Sequence, residues 1–214
     1  TEKAYNLGLA KDPIIGEVPQ LEKGDNELVK MNDMSPLAES LRILITNMNF
    51  MVGKKKGKVV FVTSSVKGEG KTFVSVNLGL TIASPNKKTI IIGADIRNPQ
   101  LQRYNEERKG LKGLTEFLYE DSLDYKTLVH KSIYNQYLDV MYSGSIPPNP
   151  TDLLSNGKFE NLIQELSQHY DYIILDTAPL MLVTDSFLIA ETADITLYVV
   201  RSRYTEKSLI DFAK

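Results

Sequence analysis

Lys71 and Thr72 close a glycine-punctuated stretch, SSVKGEGKTF at 64–73. Gly68 and Gly70 lack a Cβ, so the backbone there can turn its N–H groups toward one point. GEGKT matches the second half of the phosphate-loop pattern G-x-x-x-x-G-K-[ST], with Ser65 where the first glycine would stand. In that pattern the amides and the following helix N-terminus cradle phosphate. Lys71 would reach the outer phosphate oxygens, and the Thr72 hydroxyl would bind Mg²⁺. The expected nucleotide-contacting set is Lys67, Gly68, Glu69, Gly70, Lys71, Thr72 and Phe73. A glycine turn with a surface lysine would leave the same short string. A valine-rich run before it and a helix-like run after it favour the phosphate reading.

Two more stretches end in charge after an apolar run. IIIGADIRNP carries Asp95 and Arg97, and YIILDTAP carries Asp176. Taken singly, each also fits an ordinary strand exit. Beside a phosphate loop, a carboxylate in such a place holds Mg²⁺ or accepts a proton from an attacking hydroxyl. A lysine, a hydroxyl, two carboxylates and a set of amides are what phosphoryl transfer requires, because it runs on positioning and charge neutralisation. The expected catalytic residues are Lys71, Asp95, Asp176 and Arg97; the expected metal ligands are Thr72, Asp95 and Asp176.

The elements that must position these residues follow from hydrophobic period. KVVFVTSS, KKTIIIGADIRNP and DYIILDTAP read as buried strands, YLDVMYSG as a weaker one and DITLYVVRS as a fifth. Helical patterns separate them: KTFVSVNLGLTIAS, a short one in KGLKGLTEFLYED, starts at Thr151 and near Gly157, and VTDSFLIAETA. Alternating strands and helices predict an α/β fold of three layers, a mostly parallel sheet between helices. Ligands bind such sheets beyond the carboxyl ends of the strands, which draws the three charged stretches into one crevice. Ahead of the sheet, SPLAESLRILITNMNFM reads as an amphipathic helix with Ser35 as cap, Pro36 at the first position and Leu37, Leu41, Leu44 and Met48 on one face. Residues 1–34 read as an arm or linker, and 35–214 as the catalytic domain, cut within the helix that follows the fifth strand.

Composition narrows the partners. Net charge is −2, which offers nothing to nucleic acid. There is no cysteine and there are only two histidines, so neither a disulfide frame nor a thiolate or His-rich metal site is expected. No apolar run approaches the ~18 residues of a membrane span. The eleven tyrosines are dispersed; Tyr5, Tyr104, Tyr119, Tyr125, Tyr134 and Tyr204 read as the less buried ones.

Together the motifs resemble those of the bacterial tyrosine kinases of capsule and exopolysaccharide export, the Wzc and CpsD type, built on the MinD/ParA-like P-loop fold. GADIRNP is similar to the family's second-strand motif D-x-D-x-R, LDTAP to its Walker B strand, and SGSIPPNPTDLL to its Pro-Asn-Pro segment. ESLRILITN is similar to the E-x-x-R-x-x-R helix that packs on a neighbouring subunit, here through Glu39 and Arg42, and PIIGEVP to the segment after the membrane anchor. The resemblance implies a kinase that uses ATP and Mg²⁺. It would transfer phosphate to tyrosines in the tail of a neighbouring copy within a ring, with Asp95 activating the tyrosine hydroxyl and Arg97 steadying a phosphate or the acceptor loop. It also implies a place on the inner face of the plasma membrane, a membrane-anchored co-polymerase portion as partner, and a cognate tyrosine phosphatase.

The chain departs from that pattern at Gly93, where the first aspartate would be, and at Ile45, where the last arginine would be. The second change points to weaker ring assembly. Lys67 is one residue out of register with the signature lysine of switch ATPases, which would fall on Val66, and reads as solvent-exposed or a loose phosphate contact. Two other readings share these residues: a MinD/ParA-like switch ATPase, which the register disfavours, and an assembly module of weak activity, which Gly93 and Ile45 keep open.

Overall fold

The computed structural model describes residues 13–181 and 185–212. Tyr5 and the first third of the arm lie outside them. Helix α1 (Pro36–Val52) opens as its sequence predicts: the Ser35 side chain accepts from the Ala38 amide, proline occupies the first turn, and Gly53 ends the helix at φ 73°. Its stripe of Leu37, Leu41, Leu44 and Met48 is buried.

The sheet comprises β1 (Lys58–Ser64), β2 (Thr89–Gly93), β3 (Val129–Lys131), β4 (Leu138–Met141), β5 (Tyr172–Asp176) and β6 (Ile195–Val199), in the order β3-β4-β2-β5-β1-β6. All neighbours pair parallel except β3, which lies antiparallel on β4 at one edge. Strands β1, β2 and β5 are buried along their whole length. Their unbroken apolar runs follow from helices covering both faces. On one face lie α1 and α2 (Lys71–Ile82); on the other lie α3 (Leu114–Tyr119), α5 (Lys158–His169) and α6 (Asp185–Ala190). Helix α4 (Pro150–Leu154) and α7 (Lys207–Phe212) are short. The expected α/β fold is the observed one. Strand β3 was not expected: three half-exposed residues carry too little period to be read.

Two details matter for the site. Ile45 is buried among α1, α2 and β1 side chains, so this position serves the core of its own chain. The described part of the arm, from Pro13, lies against the same layer through Ile15, Val18, Leu21, Leu28 and Val29. Buried Asn77 of α2 ties it down: its side chain accepts from the Val29 amide at 2.8 Å and donates to the Glu27 carbonyl at 2.9 Å.

Candidate active site

Strand β5 lies between β1 and β2, with Asp176 in register with Val62 on one side and Gly93 on the other. The amides of Ala94 and Asp95 both donate to the Asp176 carbonyl, at 2.8 and 3.0 Å. The carboxyl ends of three strands, and the loop after each, thus open on one point. Gly68 and Gly70 take φ of 93° and 99°, the left-handed region that other residues seldom enter. Gly70 is the residue before α2, so Lys71 and Thr72 stand in the helix's first turn.

Lys71 Nζ lies 3.5 Å from Asp95 Oδ2, both side chains less than a tenth exposed. Asp95 Oδ1 accepts from the Asn98 amide at 3.0 Å, whereas Oδ2 is buried without a hydrogen bond. Asp176 Oδ1 is 3.3 Å from the Ser75 hydroxyl, which also donates to the Lys71 carbonyl. Burial pushes the Asp176 carboxyl up to about 6. The Lys71 charge and a hydrogen bond from Thr72 pull against that rise, and the neighbouring Asp95 charge adds to it.

Lys71, Thr72, Asp95 and Asp176 therefore come together, with Ser75 as a member that sequence reasoning missed. A serine four residues beyond the lysine, one turn along the same helix face, was its only signal. The other expected residues fall at different distances from this centre. Lys67 is exposed, Glu69 is buried, and the Phe73 side chain packs into the core on the α1 side. Arg97 is exposed, and its guanidinium donates to Thr151 Oγ1 at 3.1 Å, at the start of α4. Glu39 and Arg42 pair with each other at 2.9 Å on the outer surface of α1. At Gly93, an added Cβ would stand 2.5 Å from Ser143 Oγ and 3.1 Å from the Ser143 amide. The space for an acid at this position is filled by Ser143 of the loop after β4.

The donors suit a hard divalent ion. An aspartate oxygen with no hydrogen-bond partner, a second buried carboxylate and a threonine hydroxyl face one crevice. No group of three or more His, Cys, Asp or Glu assembles among the described residues. Water and phosphate would therefore complete the coordination, as is usual for Mg²⁺.

Residues 57–209 match a family model described as an AAA domain. The tyrosine-protein kinase CpsD of Streptococcus pneumoniae is 36% identical over 166 residues, 78% of this chain and 72% of that protein. The tyrosine-protein kinase YwqD of Bacillus subtilis is 34% identical over 179 residues, 83% and 73% of the two chains. The chain belongs to the bacterial tyrosine-protein kinases. Solved structures agree with this family. The chimerical protein CapA2B2 superposes with a TM-score of 0.84 at 29% identity, over 99% of this chain and 89% of that one. The kinase domain of the Escherichia coli tyrosine kinase ETK gives 0.80 at 25%, over 91% and 75%. MinD of Aquifex aeolicus gives 0.52 at 23%, over 66% and 55%, a likeness of fold alone. Membership of this kinase family does not favour the switch-ATPase alternative.

Proposed function

We propose that this chain transfers the γ-phosphoryl group of ATP, with Mg²⁺, to tyrosines of a neighbouring copy, and thereby regulates capsule or exopolysaccharide export. The observation that supports it is the buried constellation of Lys71, Asp95, Asp176 and Thr72, with one Asp95 oxygen that makes no hydrogen bond and faces the Lys71 charge, in a chain of the tyrosine-protein kinase family. MgATP supplies the phosphoryl group and a divalent charge. The loop amides and Lys71 hold and neutralise phosphate oxygens. Thr72, Asp95 and Asp176 hold the ion, directly or through water. In this reading Asp95 also takes the proton of the acceptor hydroxyl, since position 93 has no acid to do so. Arg97, at the rim, steadies the acceptor segment.

The partners follow from the same reading: a second copy through Glu39 and Arg42, a membrane-anchored co-polymerase portion, and a tyrosine phosphatase that resets the state. The domain would work at the inner face of the plasma membrane, with residues 1–34 as the arm toward the anchor and 35–214 as the catalytic domain. Among the described residues no helix is long and apolar enough to cross a membrane.

The test is incubation with MgATP and a tyrosine-rich acceptor peptide, reading phosphotyrosine by mass spectrometry and phosphate release in the same tube, with Lys71→Met as control. Phosphotyrosine that vanishes in the control is the expected result. Phosphate release alone would instead favour water as the nucleophile. Bound nucleotide without either product would favour an assembly module, in which Gly93 and Ser143 have closed the place of a needed acid.

A further inference from the structure

The phosphate loop is held from outside by a turn more than a hundred residues away in sequence. Tyr204 Oη donates to the Lys67 carbonyl at 2.9 Å, and Arg201 Nη1 donates to the Gly68 carbonyl at 2.9 Å. The Thr205 hydroxyl donates to the carboxylate of buried Glu69, whose other oxygen accepts from the Val66 amide at 2.8 Å. One residue earlier, the Ser65 hydroxyl is bonded to Tyr198 of β6. The turn is itself braced. Arg201 lies 5.2 Å from the Tyr204 ring centre, the amides of Tyr204 and Thr205 donate to the Arg201 carbonyl, and Arg203 takes a left-handed φ of 62°. Tyr204 also presses on the loop: a Cβ at Gly68 would meet its hydroxyl at 2.8 Å.

We infer that Arg201 and Tyr204 are positioning residues of the nucleotide site, acting through the phosphate loop rather than on the nucleotide. A peptide unit is planar and trans, so its carbonyl and its N–H point opposite ways. Pinning the Lys67 carbonyl outward aims the Gly68 amide to the other side; pinning the Gly68 carbonyl aims the Glu69 amide likewise. These are two of the amides a phosphate loop offers. Left-handed glycines leave such a loop many other conformations, and a loop already set in its binding shape gives up less freedom when nucleotide arrives. The arrangement is a strap: one turn, fixed by β6 and its own hydrogen bonds, presets the cradle.

The inference rests on the reading of the loop as a nucleotide-phosphate site, not on tyrosine as acceptor. The test uses Tyr204→Phe, Arg201→Met, the double variant and Arg201→Lys. Affinity is read with a fluorescent ADP analogue and Mg²⁺, hydrogen exchange at Gly68 and Glu69 is read without nucleotide, and KM for ATP is compared with kcat. Each single variant is expected to weaken nucleotide binding about fivefold, the equivalent of one hydrogen bond. The double should weaken it roughly twentyfold, with Arg201→Lys recovering part of the loss. Exchange at the two amides should quicken, and KM should rise while kcat at saturating ATP stays within about twofold. Melting temperatures should hold, since Arg201 is exposed and Tyr204 half so. A double variant that binds the analogue as well as the parent, with unchanged exchange, overturns the strap. So does a fall in kcat with KM constant. A parent protein that does not bind the analogue at all would sink the phosphate-loop reading, and the strap with it.

Discussion

Asp176 is buried and feels the charges of both Lys71 and Asp95, so its ionisation depends on its surroundings. Its folded value, about 6 against an ordinary 3.8, is raised. For a carboxyl the sign is then clear. Between those two values the folded state holds more protons than the unfolded chain, so this group's contribution to stability falls as pH rises toward about 6 and is level above it. In the proposed role as ligand to Mg²⁺, Asp176 must be ionised, and the proton competes with the ion. Affinity for Mg²⁺-ADP should therefore be flat above pH 7 and fall about tenfold per unit below pH 6. Calorimetric titration across pH 5–8 checks this. Asp176→Asn should weaken Mg²⁺-dependent binding throughout and remove this group's part of the slope; in the absence of nucleotide it should melt higher than the parent at pH 8.

At the scale of elements, α2 joins the proposed phosphate site to the arm. Its first turn carries Lys71 and Thr72, and in its second turn Asn77 holds the backbone of Glu27 and Val29. Asn77→Ala would leave a buried amide and a carbonyl without partners, at a cost of about 1–3 kcal/mol. The expected outcome is a lower melting temperature together with faster hydrogen exchange at Val29, while Lys71 and Asp95, held by other contacts, keep nucleotide affinity within about threefold. Loss of nucleotide binding in this variant would show that the arm and the cradle form one cooperative unit.

For the whole molecule, the open question is assembly. Ile45 lies in the core, so a change there tests stability before it tests association. Glu39 and Arg42 are different: they pair on the surface, and Arg42 also donates to the Asp33 carbonyl. An exposed pair adds less than about 1 kcal/mol to a monomer. Arg42→Ala should therefore barely shift the melting temperature, yet lower self-association in sedimentation velocity if this face meets a second copy. Unchanged association would remove Glu39 and Arg42 from the interface.

Much of the fold is legible in the sequence. Continuous apolar runs specified the buried strands, Ser35 and Pro36 the start of α1, and GEGKT, Asp95 and Asp176 the crevice, because each is a local signal: a period, a cap, a backbone freedom or a charge at the end of a strand. Ser75 was missed because a serine within a helix carries no such signal. The strap was missed for a stronger reason. Tyr204 lies 137 residues from the carbonyl it holds, and nothing in either segment names the other. Only the order β3-β4-β2-β5-β1-β6, which sets β6 beside β1, brings the turn after one strand against the loop after the other. That Lys71, Asp95 and Asp176 would meet could be read from their places at strand ends. Which distant groups fix the direction of an amide is decided by strand order, a property of the folded sheet.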